Sequence, residues 1–417
     1  MAIESQKKHL GLYVDSRINK NELLIYLLSA KITGKLKEYI CGKGAFFSDL
    51  AIAEILEEER KYDKCLISER KLITYSSGEK KKLFIKHILN KNPDFIILDN
   101  PLDHLDMQSR NTFIVDLNKI AEKTTLIQLS SRVSDLLPFI DDRFILKDKD
   151  FEIMELSNLK DELKSTDEKT LSVPESGQNI PVNSRELIKM DKVSVSYDGK
   201  PIVKDITWTI KQSEFWQLIG PNGSGKSTLL SLITGESTKG YGQDLYLFGK
   251  KKGSGESVWE IKQRIGYFAP SMTELFKRNN TLSEMILSGF FDTVGLYDTP
   301  STMQYKQVLQ WLKLAKLQEF KNFNFNKLTA GQQRLGLILR AVVKNPPLLI
   351  LDEPTEGLDD HGAQLVIDLI IILRSQGAMA IIFVSHRLEK GLKAEAIFEL
   401  VPSTEGSIGR IKNDVKL

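Results

Sequence analysis

At 417 residues, with 41% apolar and 27% charged side chains, the chain has the make-up of an ordinary soluble globular protein long enough for two or three domains. A formal net charge of +3 is small and implies no strongly basic face for nucleic acid or an anionic membrane. Two cysteines, Cys41 and Cys65, are too few for a disulfide framework, suit a reducing compartment and match no metal or redox spacing, which predicts small buried apolar side chains.

In chain order, the opening MAIESQKKHL has no apolar core that could act as a secretory signal. CGKG (Cys41 to Gly44) is the first half's only Gly-rich candidate for a phosphate loop, and it lacks the Gly-Lys-Ser/Thr ending. SSGEKKKLFIKHILNKNPDFIILDNPLDHLD (Ser76 to Asp106) then matches TAGQQRLGLILRAVVKNPPLLILDEPTEGLD (Thr329 to Asp359), with Gly78, Asp99 and Asp106 all 253 residues before Gly331, Asp352 and Asp359. One register held across a turn, a helix, an apolar run and a second turn marks two copies of one domain. Each copy reads as helix, buried strand (FIILD or LLILD), helix, strand (TTLIQLS or AMAIIFVSH), the pattern of a doubly wound parallel sheet. Between them, LKDELKSTDEKTLSVPESGQNIPVNSREL reads as a flexible linker. The predicted organisation is 1–155, linker 156–185, and 186–417. The most apolar late stretch, LVIDLIIILRSQGAMAIIFVSH, is interrupted by Asp368, Arg374 and Gly377 and splits into a helical and a strand-like part, so no membrane span is expected and the predicted location is cytoplasmic.

The second copy carries a chemical set. The strand-like EFWQLIG enters GPNGSGKST (Gly220 to Thr228) and the helical LLSLITG, which is G-x-x-x-x-G-K-[ST] in strand–loop–helix context. Glycines let backbone N–H groups curl around phosphate oxygens, and the helix N-terminus adds partial positive charge. Phosphate contacts are assigned to Gly220, Asn222, Gly223, Ser224, Gly225, Lys226, Ser227 and Thr228, with Lys226 reaching the β- and γ-phosphates and Ser227 ligating Mg²⁺. After LLILDEP, Asp352 is expected at the metal and Glu353 as the base or orienter of an attacking water; His386, at the end of the next strand, is expected at the γ-phosphate.

The order GPNGSGKST, LTAGQQR, LILDEP, GLD and VSHR resembles the nucleotide-binding domain of ATP-binding cassette (ABC) ATPases over residues 186–417. The resemblance implies two P-loop NTPase domains in tandem, with ATP and Mg²⁺ as ligands. It makes Leu328 to Gln332 the family signature, Gly357 to Asp359 the D-loop and Tyr197 the aromatic that stacks on adenine. One departure stands out: the family's Gln after IGY-hydrophobic-Pro is replaced, in IGYFAPSM, by Pro270 or Ser271, leaving Ser271 as a shorter metal or water ligand. Gly240 to Tyr267 is similar to the tandem-cassette branch labelled ModF-type or photorepair-protein-like, whose labels imply molybdate transport or DNA repair. Within that stretch GKKKGSGE reads as a charged hairpin turn.

The first copy lacks this set. The 253-residue offset would put the counterpart of Lys226 before Met1, so a domain without a phosphate-binding loop is expected; Glu353 is matched by Asn100 and His386 by Ser131. ABC domains pair head to tail, so the resemblance implies one composite site, with Ser76, Ser77 and Gly78 closing it either within the chain or between two chains. YSSGE read alone is also a helix cap. The expected activity is ATP hydrolysis, driving either a transporter for molybdate or another anion through a separate permease, or a soluble nucleoprotein or protein complex. The lysine runs Lys80 to Lys82 and Lys250 to Lys252 read as short solvated faces, so no strong nucleic-acid binding is expected.

Overall fold

The computed structural model describes residues 7–14, 18, 20–28, 34–147, 152–155, 174, 184–276, 279–375, 377, 379–386, 389, 391–392 and 394–413. Most of the linker expected at 156–185 lies outside these residues. The chain divides into two compact units, Met1–Glu168 with Gly357–Asp360, and Lys169–Glu356 with His361–Leu417.

The first unit runs β1 (Leu10–Tyr13), α1 (Lys20–Leu27), β2 (Gly44–Phe47), α2 (Asp49–Tyr62), α3 (Ser77–Leu89), β3 (Phe95–Asp99), α4 (Met107–Ala121), β4 (Thr125–Ser130), β5 (Asp142–Lys147) and β6 (Glu152–Glu155). Its sheet has the order β2-β3-β4-β1-β5-β6, parallel except for the antiparallel β5–β6 pair. Apolar runs such as FIILD become central strands because both faces are covered, by Phe84, Phe113 and Leu117 on one side and by Leu23, Leu27 and Leu36 on the other.

The second unit runs β7 (Glu186–Tyr197), β8 (Lys200–Lys211), β9 (Phe215–Ile219), α5 (Lys226–Ile233), β10 (Asp244–Leu247), β11 (Lys250–Lys251), α6 (Val258–Gln263), β12 (Ile265–Phe268), α7 (Leu282–Leu287), α8 (Thr302–Leu314), α9 (Ala330–Val342), β13 (Leu348–Asp352), α10 (Asp360–Ser375), β14 (Ala380–Ser385), β15 (Ala396–Val401) and β16 (Ile408–Asn413). Its main sheet has the order β12-β13-β14-β9-β15-β16, and a second, antiparallel sheet has the order β11-β10-β7-β8. GKKKGSGE, expected as a hairpin turn, instead supplies strand β11, which pairs with β10 across a turn at Phe248 and Gly249, φ 51 and 84. The late apolar stretch divides into α10 and β14, and among the described residues no helix is long and apolar enough to cross a membrane.

Strand for strand, the two main sheets superpose in topology, and this corrects the expectation for the first copy. Its β1 occupies the place of β9, and α1 begins with Lys20 after residues 14–19 as α5 begins with Lys226 after residues 220–225. Lys20 thus opens α1 where Lys226 opens α5, and the six letters before it, VDSRIN, include none of the glycines found at 220–225. The constant offset failed because the spacing between the loop lysine and the strand-end aspartate differs between the copies. CGKG instead leads into β2, the counterpart of β12.

Two further expectations are overturned. Cys41 and Cys65 are exposed rather than buried, since both stand in irregular segments outside the sheet and its covering helices. The lysine runs are not simple solvated faces either. Lys81 is buried and donates to Asp103 O (2.8 Å), Pro101 O (3.2 Å) and Asp49 (3.1 Å), Lys82 pairs with Asp116, Lys251 pairs with Asp244, and Lys252 is buried against Gly235 O. Lys81→Met keeps the length of the side chain but orphans two carbonyls. It should cost about 2 kcal/mol of stability in urea unfolding, with little from the Asp49 pair because that carboxylate is 41% exposed. An unchanged midpoint would show that these bonds contribute nothing.

Candidate active site

Three adjacent parallel strands, β13, β14 and β9, end at the same edge of the second sheet, where ligands of doubly wound folds bind. From β9 the chain turns through Gly220 to Gly225 into α5. Gly225 has φ +95, and a Cβ there would meet Val203 Cγ1 at 2.6 Å; a Cβ at Gly220 would meet Ser224 Oγ at 2.6 Å. The loop can thus close tightly only with glycine at both places. Lys226 is buried and its Nζ donates to Gly220 O (2.7 Å) and Pro221 O (3.2 Å), folding back over the loop. Asn222, Gly223 and Ser227 are exposed and Thr228 is half-buried, while the buried Ser224 Oγ has no hydrogen-bond partner. A loop with an ammonium, exposed backbone and an orphaned hydroxyl fits a phosphate chain.

At the end of β13 the chain leaves through Glu353, whose backbone is left-handed at φ 47 and whose N–H donates to Val384 O (2.9 Å). A glutamate held there is strained, as residues at functional sites often are. His386 Nδ1 lies 3.7 Å from Glu353 Oε1, an ion-pair distance, and Glu356, two residues beyond Pro354, also interacts with the Glu353 carboxyl. Burial pushes the Glu353 carboxyl up, but the bonds from His386 and Glu356 outweigh it and hold the group well below the usual carboxylate range. Burial pushes His386 down, and its bond to Glu353 outweighs that, raising it toward the imidazolium form. Asp352 is pushed up to about 6, by burial first and then by Glu353, against the pull of Lys226. A carboxylate short of compensation in this way suits a neighbouring cation.

The structure brings Lys226, Asp352, Glu353 and His386 together and adds Glu356. LDEPTEG held that signal, since a third carboxylate follows closely on the pair. Arg334 was also missed: from α9 its Nη2 donates to Glu356 O (3.0 Å). Among the described residues no hydrogen bond or ion pair joins Tyr197 or Ser271 to this group. Tyr197 ends β7, 42% exposed, with Lys239 Nζ 5.6 Å from its ring centre, and Ser271 is exposed in a short 3₁₀ turn, Pro270–Leu275. In the first unit, Ser76 caps α3 in a reciprocal box with Glu79, Ser77 opens the helix and Gly78 packs close to Ser109; Thr329 caps α9 through Gln332 in the same way.

A family profile described as ABC transporter matches residues 203–356. The chain is 35% identical over 373 residues to the "ABC transporter ATP-binding protein ModF" of Escherichia coli, covering 84% of this chain and 76% of that protein. This chain belongs to the ABC transporter ATP-binding protein family. ABC proteins of this kind are ATP-hydrolysing enzymes. An "Uncharacterized ABC transporter ATP-binding protein C323.04" of Schizosaccharomyces pombe is 30% identical over 302 residues, covering 69% of this chain and 60% of that protein. The "Zinc uptake system ATP-binding protein ZurA" of Listeria innocua is 32% identical over 206 residues, 49% of this chain and 77% of that one.

The His386–Glu353 pair gives the ABC site a pH signature. His386 is raised, so its contribution to stability is complete below the ordinary imidazole value of 6.5 and is lost as pH rises through its folded value. Glu353 is lowered, so its contribution is complete above the ordinary 4.5 and is lost on acidification through its folded value. His386→Gln should therefore lower the melting temperature more at roughly pH 5.5 than at roughly pH 9, in thermal unfolding at both. Equal losses would contradict the pairing.

Proposed function

We propose that the chain hydrolyses Mg²⁺-ATP at a single working site in its second half, the first half being a degenerate domain that closes that site. One observation carries the reading: the two sheets share a topology, yet only one holds the chemical set. Where the second unit has the glycine loop, Glu353 and His386, the first has VDSRIN, Asn100 and Ser131, and Lys20 Nζ is bonded to Asp99 Oδ1 at 2.7 Å. Asn100 takes the same left-handed backbone, φ 41, but its neutral amide cannot accept a proton from water.

In this reading the Gly220 to Thr228 loop and Lys226 hold the phosphates, and Ser227, Asp352 and Ser271 are the residues that would hold magnesium. Bound magnesium offsets phosphate charge. Glu353 orients and deprotonates the attacking water, and His386, held beside Glu353, faces the γ-phosphate; positioning and charge stabilisation are the protein's main contribution to phosphoryl transfer. Tyr197 stacks on adenine. Ser76, Ser77 and Gly78 close the site, since the first unit keeps the signature turn in the same capped geometry as the Thr329 turn of the second.

The lead role is a cytoplasmic ATP-binding subunit working with a separate permease at the inner membrane face, supported by the transporter names of the relatives. Molybdate or another anion is the cargo proposed from the narrower sequence likeness. The replaced Gln favours the second reading, a soluble ATPase acting on a protein or nucleoprotein complex.

Lys226→Ala should weaken ATP binding, and Glu353→Gln should retain binding while lowering turnover about 10²-fold, the scale of a lost general base. Turnover at the wild-type rate in Glu353→Gln would refute its role. Ser76→Arg should abolish hydrolysis and Thr329→Arg leave it nearly unchanged. The reverse result in the same ATPase assay would instead establish closure between the second halves of two chains.

A further inference from the structure

The two copies allow a subtraction: side chains that differ where the frame is the same point to chemistry. On β12, Tyr267 pairs in parallel register with Ile350 of β13, and Asp352 stands two residues further along the same face. The Tyr267 hydroxyl hydrogen-bonds the Asp352 carboxylate. In the first sheet, Phe46 of β2 pairs with Ile97 of β3 in the same register, and Asp99 stands two residues further along. There the ring has no hydroxyl, and Asp99 is held by Lys20. Both rings are half-buried against the core of their own sheet, so the frame accepts either.

We infer that Tyr267 is a positioning residue for magnesium-dependent nucleotide binding: its hydroxyl orients the Asp352 carboxylate toward the nucleotide-bound cation. A phenol is suited to this. Its hydroxyl donates one hydrogen bond without carrying a charge. As a neutral donor it steers the carboxylate without cancelling its charge, whereas the lysine ion pair in the first copy does cancel it. Groups that hydrogen-bond a metal's carboxylate ligand commonly alter metal affinity or activity by 10–100-fold when removed. The inference rests on the single-site reading above and extends it to the tyrosine of IGYFAP, to which that reading gives no role.

The test uses the full-length chain and the Tyr267→Phe variant, a change whose fold precedent is Phe46 in the first copy. Binding of a fluorescent ATP analogue is titrated in EDTA and then against Mg²⁺, with Mn²⁺ paramagnetic resonance reporting the bound cation and steady-state ATPase assays run alongside. The variant should match the wild type within about twofold in EDTA. It should need roughly tenfold more Mg²⁺ for half-maximal binding, alter the Mn²⁺ spectrum and lose kcat more than it gains in KM for ATP. Unchanged Mg²⁺ dependence, or an equal loss of affinity with and without the cation, would overturn the inference while leaving the ATPase reading intact. A wild type that binds no nucleotide in either condition would overturn both.

Discussion

A carboxylate at the end of a buried strand needs a partner for its charge, and the two halves of this chain differ in whether the chain itself supplies one. In the first unit Lys20, the opening residue of its helix, crosses to Asp99 at 2.7 Å. In the second, the lysine at the same topological place turns toward the carbonyls of Gly220 and Pro221, and a tyrosine hydroxyl meets Asp352. The glycines make the second arrangement available, because only a backbone free of Cβ atoms at Gly220 and Gly225 can close under the ammonium. A phosphate loop and an internally paired site are thus two solutions to one electrostatic problem on one frame.

The frame itself is conservative between the halves. Both have a left-handed residue immediately after the strand-end aspartate, Asn100 and Glu353, each donating its N–H to the neighbouring strand. Asparagine tolerates that backbone better than glutamate does, so the second half keeps a locally less favourable residue whose carboxylate is paired with His386. Both halves also reach the same carbonyl from the helix that follows the signature turn, Lys81 to Asp103 O and Arg334 to Glu356 O. Parts common to both serve the architecture. Parts found in one serve the chemistry.

Much of this was legible from residues alone. The repeat, the buried strands FIILD and LLILD, and the loop GPNGSGKST each carry local signals, namely fixed register, apolar runs with Asn-Pro entries, and glycine spacing, that tertiary packing has no reason to override. The first half's loop was not legible because VDSRIN carries no glycine code and the offset between copies is not constant; only the strand order identified Lys20. The exposed cysteines and the buried Lys81 and Lys252 illustrate the other limit. Burial of an isolated residue depends on what packs over it, and composition does not encode that. Tyr267 and Glu356 were visible as letters, but their role needed the register between β12 and β13 and the course of the chain beyond Pro354.

The central claim is one working nucleotide site per chain, and nucleotide stoichiometry tests it most directly. Native mass spectrometry and isothermal titration of the hydrolysis-impaired Glu353→Gln chain with Mg²⁺-ATP would count bound nucleotides without turnover. The account requires one ATP per chain, lost on adding Lys226→Ala and unaffected by adding Lys20→Ala. Two ATP per chain, with one of them lost when Lys20 is replaced, would contradict it.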